Sequence, residues 1–351
     1  MSKMNKVRRI IYKFLRWKGF SIRINRTPVT KESFIKMIDQ EEPLTLKTIL
    51  FKKYAAYFRH THNTQLYEEV LQYYVPNWEK IYSKAVFMNV PGGGRDNLNV
   101  YRKVKINGEY YVEKVYFTHL GYISIHSSNW FFKNAYPLIQ KHIKTAEISY
   151  SFSSDFLTIL YYKFIEIPHN EKEKDKAIIN ISKYLYEASF DNTIETLIKV
   201  APKFLKINNL SLMLIQYESI IKSYLLNQNI KVNLIEASIQ TNRKVLTHGD
   251  LNPSNLISSN VIIDWDTFGL RPAGYEVAYI FWKFLISDFI QEEVYALDWL
   301  KKEYKDTIIA EEWELFELTF VYYAFIFIYG AHAQTRFTTI QKELLAYLKE
   351  I

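Results

Sequence analysis

Cysteine is absent from all 351 residues. No disulfide framework and no thiolate zinc site can form, so any bound metal must rest on oxygen or histidine ligands. The same absence fits a cytosolic protein. No apolar run reaches the roughly 18–20 residues that a membrane-spanning helix needs. The longest, Phe320–Ala331, reads as a buried core helix. The N-terminus has neither a continuous apolar stretch nor a small-residue cleavage site, so no signal peptide is expected. Internal repeats and low-complexity tracts are missing as well. What is present is core-forming material: 48% of residues are hydrophobic and 17% aromatic. Such a chain can fill one large two-lobed domain or two ordinary ones, and it is not a disordered composition.

Acidic residues are missing from one place in particular. The first 26 residues carry Lys3, Lys6, Arg8, Arg9, Lys13, Arg16, Lys18, Arg23 and Arg26 and no Asp or Glu. The net charge is +8, from 45 basic and 37 acidic residues; without those nine the balance is 36 against 37, or −1. The body is neutral and the basicity belongs to the N-terminus. There, Met4, Val7, Ile10, Ile11, Phe14 and Leu15 recur at helical spacing among the basic residues, which predicts a basic amphipathic helix. One reading lays it on an anionic bilayer, each Lys or Arg adding about 1 kcal/mol of attraction. The other packs it on the body with its charges solvated. A nucleic-acid role rests on this tail alone, since no reading module accompanies it.

Residues 30–75 read as two or three short helices, Leu44–Arg59 the clearest, ending at Pro76. Strands are then expected at Lys84–Val90, Asn99–Ile106 and Glu109–Phe117, the last two joined at Asn107-Gly108, the strongest short-range hairpin signal. Residues 128–143 look helical, and Ile148–Ile167 gives two more strand-like runs. After Pro168, helices are expected near 170–188, 191–206, 209–227, 275–287, 291–304, 311–335 and 338–350, interrupted by strand runs and polar loops from Lys244 to Pro272. This order predicts an α+β chain in three segments: a helical extension over 1–76, a small antiparallel-sheet lobe over 77–167 and a large mainly helical lobe over 168–351.

The interruption contains His248-Gly249-Asp250-Leu251-Asn252-Pro253-Ser254-Asn255, then Asp264-Trp265-Asp266 at the end of the apolar run Val261–Ile263. Phosphoryl transfer to a hydroxyl needs a carboxylate for the proton of the attacking group, metal ions against the triphosphate, and a cation with backbone amides to hold the phosphates. Alone, His-Gly-Asp is common in turns and Asp-Trp-Asp reads as an ordinary strand end. Together, at a short fixed separation, they supply the first two requirements.

The two motifs resemble the catalytic loop and metal motif of the aminoglycoside phosphotransferase and choline kinase superfamily, relatives of protein kinases. That resemblance implies a bilobal kinase-like fold over about residues 80–335, with ATP and Mg2+ as cofactors. It implies Asp250 as catalytic base, His248 as a brace for the loop, Asn255 and Asp264 as magnesium ligands, and Asp266 as a further metal contact. It places Lys114, within the strand Tyr110–Phe117, at the α- and β-phosphates, and Gly92, Gly93 and Gly94 in the turn over the phosphates, where missing side chains admit close backbone approach. Tyr162, Lys163, Phe164 and Ile165 fall in the hinge that binds adenine. Two features depart from the pattern: Asn129–Ile143 holds no acid to pair with Lys114, Glu147 being the nearest downstream, and Glu276 stands where the family often has Asp. A structural role is expected of that glutamate.

The expected reaction is transfer of the γ-phosphate to a hydroxyl of a small molecule or carbohydrate. The basic N-terminus favours an envelope glycan precursor at the inner membrane face, with the protein cytoplasmic or peripheral there. Choline, ethanolamine or an antibiotic are alternative acceptors, and a pseudokinase scaffold is the non-enzymatic alternative. The neutral body argues against polycationic aminoglycosides.

Overall fold

The computed structural model describes residues 30–40, 47, 48, 50, 51, 64–78, 82–86, 99–166, 174–206, 212–291, 294–332 and 337–351. The basic helix expected over 4–18, the triplet Gly92–Gly94 and most of the helix expected over 44–59 lie outside the described residues. By internal contacts the chain divides into two units, Met1–Leu120 with Ile148–Tyr162, and Gly121–Glu147 with Lys163–Ile351.

The first unit is built on a five-stranded sheet of order β1-β2-β3-β5-β4, comprising β1 (Tyr82–Val86), β2 (Asn99–Ile106), β3 (Glu109–Phe117), β4 (Ile148–Ser153) and β5 (Leu157–Lys163). The β2–β3 hairpin runs in antiparallel register from Asn99↔Tyr116 to Ile106↔Glu109. Asn107 and Gly108 both take positive φ, 48° and 90°, as required by a two-residue turn whose twist matches the strands. Two helices, α1 (Lys31–Asp39) and α2 (Thr64–Tyr74), share the sheet's core. Thr30 starts α1 with a capping box: its side chain accepts from the Ser33 N–H while the Ser33 hydroxyl accepts from the Thr30 N–H. Phe34 and Ile38 of α1 and Leu66, Tyr67, Val70 and Leu71 of α2 are buried with Val104, Ile106, Tyr111, Val115, Phe117, Leu157, Ile159 and Tyr161 of the sheet.

Strand alternation puts Glu113 on that same buried face and Lys114 on the other. Glu113 is fully buried because its cross-strand partner is Arg102. Arg102 donates from Nε to Glu113 Oε1 at 2.6 Å and from a terminal nitrogen to Oε2 at 3.1 Å. The guanidinium also reaches Glu68 of α2 at 3.4 Å and lies over the Tyr67 ring. Tyr161 donates to Glu113 at 2.6 Å and in turn accepts from the Trp78 indole. A charged pair thus tolerates burial because its polar atoms find partners in the core itself.

The second unit is mainly helical. It begins within α3 (Thr118–Trp130), which continues through a π-helical turn (Phe131–Ala135) and a single turn (Tyr136–Ile139). It resumes with α4 (Lys174–Ala188), α5 (Asn192–Val200), α6 (Leu212–Asn227) and α7 (Val232–Thr241). After an irregular segment come α8 (Tyr275–Ile286), α9 (Ala296–Tyr304), α10 (Trp313–His332) and α11 (Thr338–Glu350). Helices α8 and α10 are apolar around most of their circumference, the signature of interior helices. Phe281 meets Phe320, Tyr275 meets Tyr323, and Trp282 stacks on Phe327. Phe320–Tyr329 is therefore a core segment, and no helix among the described residues is long and apolar enough to cross a membrane.

The α+β class, with a small antiparallel sheet and a mainly helical remainder, is as expected from the sequence. Three local expectations are corrected. The helix placed at 128–143 starts ten residues earlier, at Thr118, and still contains no acid through Ile139. The helix placed at 191–206 breaks at Ala201-Pro202, where Ala201 is extended, since the residue before proline is driven out of the helical region. Helix α7, with Val232, Ile235 and Ile239 buried, was not anticipated.

Candidate active site

Two short antiparallel ladders frame the segment between α7 and α8. In one, β6 (Lys244–Thr247) pairs antiparallel with β9 (Gly269–Pro272). In the other, β7 (Leu256–Ser258) pairs with β8 (Val261–Ile262). The loop from His248 to Asn255 leaves the end of β6 and enters β7, so both of its ends are held by ladder hydrogen bonds.

His248 is fully buried beneath this loop. Its Nε2 lies 2.9 Å from the Ile263 carbonyl, and its Nδ1 accepts from the Asp250 N–H at 3.3 Å. A carbonyl can only accept and an amide can only donate. These contacts assign the neutral Nε2–H tautomer and occupy both ring nitrogens. The ring also packs 4.6 Å from Trp265, which stacks on Phe131 at 3.9 Å with an interplanar angle of 10°.

Gly249 turns the chain at φ 84°. A Cβ there would lie 2.2 Å from the Thr267 carbonyl oxygen and 2.8 Å from an Arg271 nitrogen, so only glycine fits. Its N–H donates to both carboxylate oxygens of Glu276, each at 3.1 Å. Glu276 sits in the first turn of α8 and is buried, which pushes its carboxyl above the ordinary range. The Arg271 guanidinium and the amides of Gly249 and His248 pull the other way. Arg271, on β9, is itself buried and donates to the Thr247 hydroxyl and to the Thr267 carbonyl, the latter at 2.7 Å. The Thr267 hydroxyl closes the ring by donating to the His248 carbonyl at 2.9 Å. Glu276 thus holds the loop by its backbone.

Asp250 emerges from this support with its side chain 35% exposed. Its Oδ1 accepts from Asn252 Nδ2 at 2.9 Å and from the Tyr279 hydroxyl of α8; its Oδ2 accepts from Asn255 Nδ2 at 3.1 Å. The Lys283 ammonium lies 4.0 Å from Oδ1. Burial, followed by the Asp250 charge and hydrogen bond, raises the Tyr279 phenol well above its usual value, so it remains a donor. Both asparagines also donate to the Asp250 carbonyl at 2.8 Å. The carboxylate is oriented at both oxygens and remains open to solvent.

Asn255 has its amide nitrogen committed to Asp250, which leaves Oδ1 as the side-chain atom able to face a cation. Its carbonyl accepts from the Ile263 N–H at 2.9 Å, and Leu256 pairs with Ile262. The β7–β8 ladder therefore brings the backbone leading into Asp264 alongside Asn255. Asp264 adopts a left-handed conformation (φ 69°, ψ 53°) and starts the turn Trp265–Thr267, which contains Asp266. These side chains offer oxygen donors alone, the set suited to a hard divalent cation. Among the described residues no group of three or more His, Cys, Asp or Glu is clustered as a metal cage.

Of the residues singled out in the sequence, His248, Asp250, Asn255, Asp264 and Asp266 fall in the second unit. Lys114 and Tyr162 fall in the first, with the Lys114 ammonium 5.5 Å from the Tyr162 ring centroid. Lys163, Phe164 and Ile165 follow at the end of β5, and Gly92–Gly94 lie outside the described residues. Sequence reasoning missed Tyr279, Lys283, Asn252 and Arg271. A signal existed for the first two, because i, i+4 spacing puts them on one face of the helix that follows the motif.

Residues 223–301, which span the loop, both antiparallel ladders and α8, match the model of a phosphotransferase enzyme family. The matched segment contains every residue of the Asp250 network described above. Weaker likenesses extend over most of the chain. The GDP complex of an aminoglycoside 2'-phosphotransferase is 13% identical, covering 81% of this chain and 96% of its own, with a TM-score of 0.45. A spectinomycin phosphotransferase in complex with ADP and spectinomycin is 15% identical, covering 82% and 93%, with a TM-score of 0.42. A microcompartment-associated aminopropanol kinase is 13% identical, covering 82% and 94%, with a TM-score of 0.44. No curated protein matches in sequence.

Proposed function

We propose that this protein is a phosphotransferase that moves the γ-phosphate of ATP, with Mg2+, to a hydroxyl of a small molecule or carbohydrate, using Asp250 as the base. The observation that carries the proposal is the Asp250 carboxylate. It is fixed by Asn252, Asn255 and Tyr279 yet stays open to solvent. As the acceptor oxygen attacks the γ-phosphorus and the bond to the β–γ bridging oxygen breaks, the acceptor's proton passes to Asp250 and ADP leaves. His248 is not the base, because both ring nitrogens are occupied in holding the loop.

Asn255 Oδ1 and the Asp264 carboxylate, with Asp266 beside them, would hold Mg2+, which when bound neutralises phosphate charge. Lys114, Gly92–Gly94 and Tyr162–Ile165 would hold the nucleotide. The basic residues 1–26 would place the enzyme on an anionic inner membrane face, where a lipid-linked envelope glycan is an accessible acceptor.

An acceptor screen with γ-labelled ATP tests the reaction. It should cover free sugars, choline, ethanolamine, aminoglycosides and membrane extracts. Label in an acceptor, lost in Asp250→Asn, supports it. Mg·ATP binding with no transfer to any acceptor would instead support a pseudokinase scaffold. Binding to anionic liposomes, lost on deletion of residues 1–26, tests the membrane part.

A further inference from the structure

The acceptor side of Asp250 carries a positive charge. Helix α8 has two ionisable acid or base side chains, Glu276 and Lys283. Glu276 is buried and spent on the Gly249 amide. Lys283 lies two turns further along, on the same face as Tyr279, and its ammonium is 4.0 Å from Asp250 Oδ1. It also sits over the Tyr279 and Trp282 rings, 5.1 and 4.7 Å from their centroids. With its side chain 25% exposed, it is held against the base rather than trailing into solvent. Among the described residues, the Trp282 indole N–H is buried without an acceptor, a second donor on this face of α8.

We infer that the acceptor is an alcohol bearing an oxyanion, a phosphate or a carboxylate, a few bonds from the hydroxyl that receives the γ-phosphate. This rests on the phosphotransferase reading with Asp250 as base. Lys283 is the residue that binds the oxyanion. An ammonium group brought to Asp250 would meet a like charge within contact range, whereas an oxyanion there gains a charge-assisted hydrogen bond. The bond from Tyr279 keeps Asp250 oriented when the oxyanion draws Lys283 away. The transfer is balanced as before: the acceptor oxygen gains the phosphoryl group, Asp250 takes its proton, and ADP departs. Lys283 exchanges no proton. Its role is to set acceptor specificity.

The test uses the full chain with Mg2+ and γ-labelled ATP on matched acceptors: glucose, glucosamine, glucuronate and glucose 6-phosphate, then glycerol, ethanolamine, glycerate and glycerol phosphate. The expected result is that kcat/KM for the anionic members exceeds that of their neutral and ammonium counterparts by about tenfold or more. The phosphorylated and carboxylated arms tell the two oxyanions apart. Lys283→Gln lowers the anionic-to-neutral ratio at least about tenfold, mainly through KM, and Lys283→Arg retains it. Equal or better use of neutral or ammonium acceptors overturns the inference, as does an unchanged ratio in Lys283→Gln or transfer to none of the anionic members. Failure of the underlying reading looks different: no transfer to any acceptor of either charge, whether or not Mg·ATP binds. A thermal melt of each variant separates misfolding from altered preference.

Discussion

Replacing Glu276 tests whether the loop from His248 to Asn255 is held by its backbone. In the native protein the Gly249 N–H has both Glu276 oxygens at 3.1 Å, and the buried Arg271 guanidinium lies close enough to bias the same carboxylate. Glu276→Ala removes the acceptor and the charge together. A buried N–H left unpaired costs about 1–3 kcal/mol, and the uncompensated guanidinium and small cavity add to it, for a total of about 3 kcal/mol. Glu276→Gln keeps an acceptor oxygen at the same reach and loses only the charge, so it should fall within about 1 kcal/mol of wild type. The pH dependence separates the two further. Because the folded-state carboxyl is raised, its contribution to stability is complete below the ordinary glutamate range and is lost as pH rises through the raised value. Glu276→Gln should flatten that part of the profile. Urea denaturation at several pH values measures both effects, and phosphoryl transfer should fall with Glu276→Ala because Asp250 follows Gly249. A Glu276→Ala protein as stable and active as wild type would refute the backbone-anchor reasoning.

Other perturbations have equally definite outcomes. Gly249→Ala forces a Cβ to 2.2 Å from the Thr267 oxygen at φ 84°, and should destabilise by about 3 kcal/mol in urea denaturation. Arg102→Met strands the buried Glu113 and should cost about 3–5 kcal/mol, with part recovered by adding Glu113→Leu; a change below about 1 kcal/mol would contradict the burial of the pair. Lys114→Ala should raise the KM for ATP, and unchanged nucleotide kinetics would remove Lys114 from the phosphate site. The phenols of Tyr67, Tyr161, Tyr279 and Tyr304 are raised, chiefly by burial. The folded state therefore holds their protons more tightly, and stability should decline as pH climbs past about 10. A melting temperature that stays flat through that range would contradict their burial.

What could be read from the sequence follows from how local the information is. The Asn-Gly hairpin and the run from His248 to Asp266 are contiguous in the chain, so residue type and spacing alone announce them. Glu113 is the opposite case. Alternation puts it on the same face as Tyr111, Val115 and Phe117, and a glutamate there argues against burial until Arg102 is seen in register across the hairpin. Tyr279 and Lys283 are legible as one helix face, but nothing local says that this face meets a carboxylate 29 and 33 residues upstream. The early start of α3 is hidden because the β-favouring run Val115–Phe117 leads directly into Thr118-His119-Leu120-Gly121, without an acidic first turn. The longer helical segment from Thr118 to Ile139 contains no acidic residue either.

The central claim is that Asp250 accepts the acceptor's proton. Its most direct measurement is single-turnover transfer from γ-labelled ATP by Asp250→Asn, once the screen has supplied an acceptor. Asparagine is nearly the same size and can still bond to Tyr279, so folding and nucleotide binding should persist. Transfer should fall by about a hundredfold or more. A variant that binds Mg·ATP and transfers phosphate at the native rate would contradict the account.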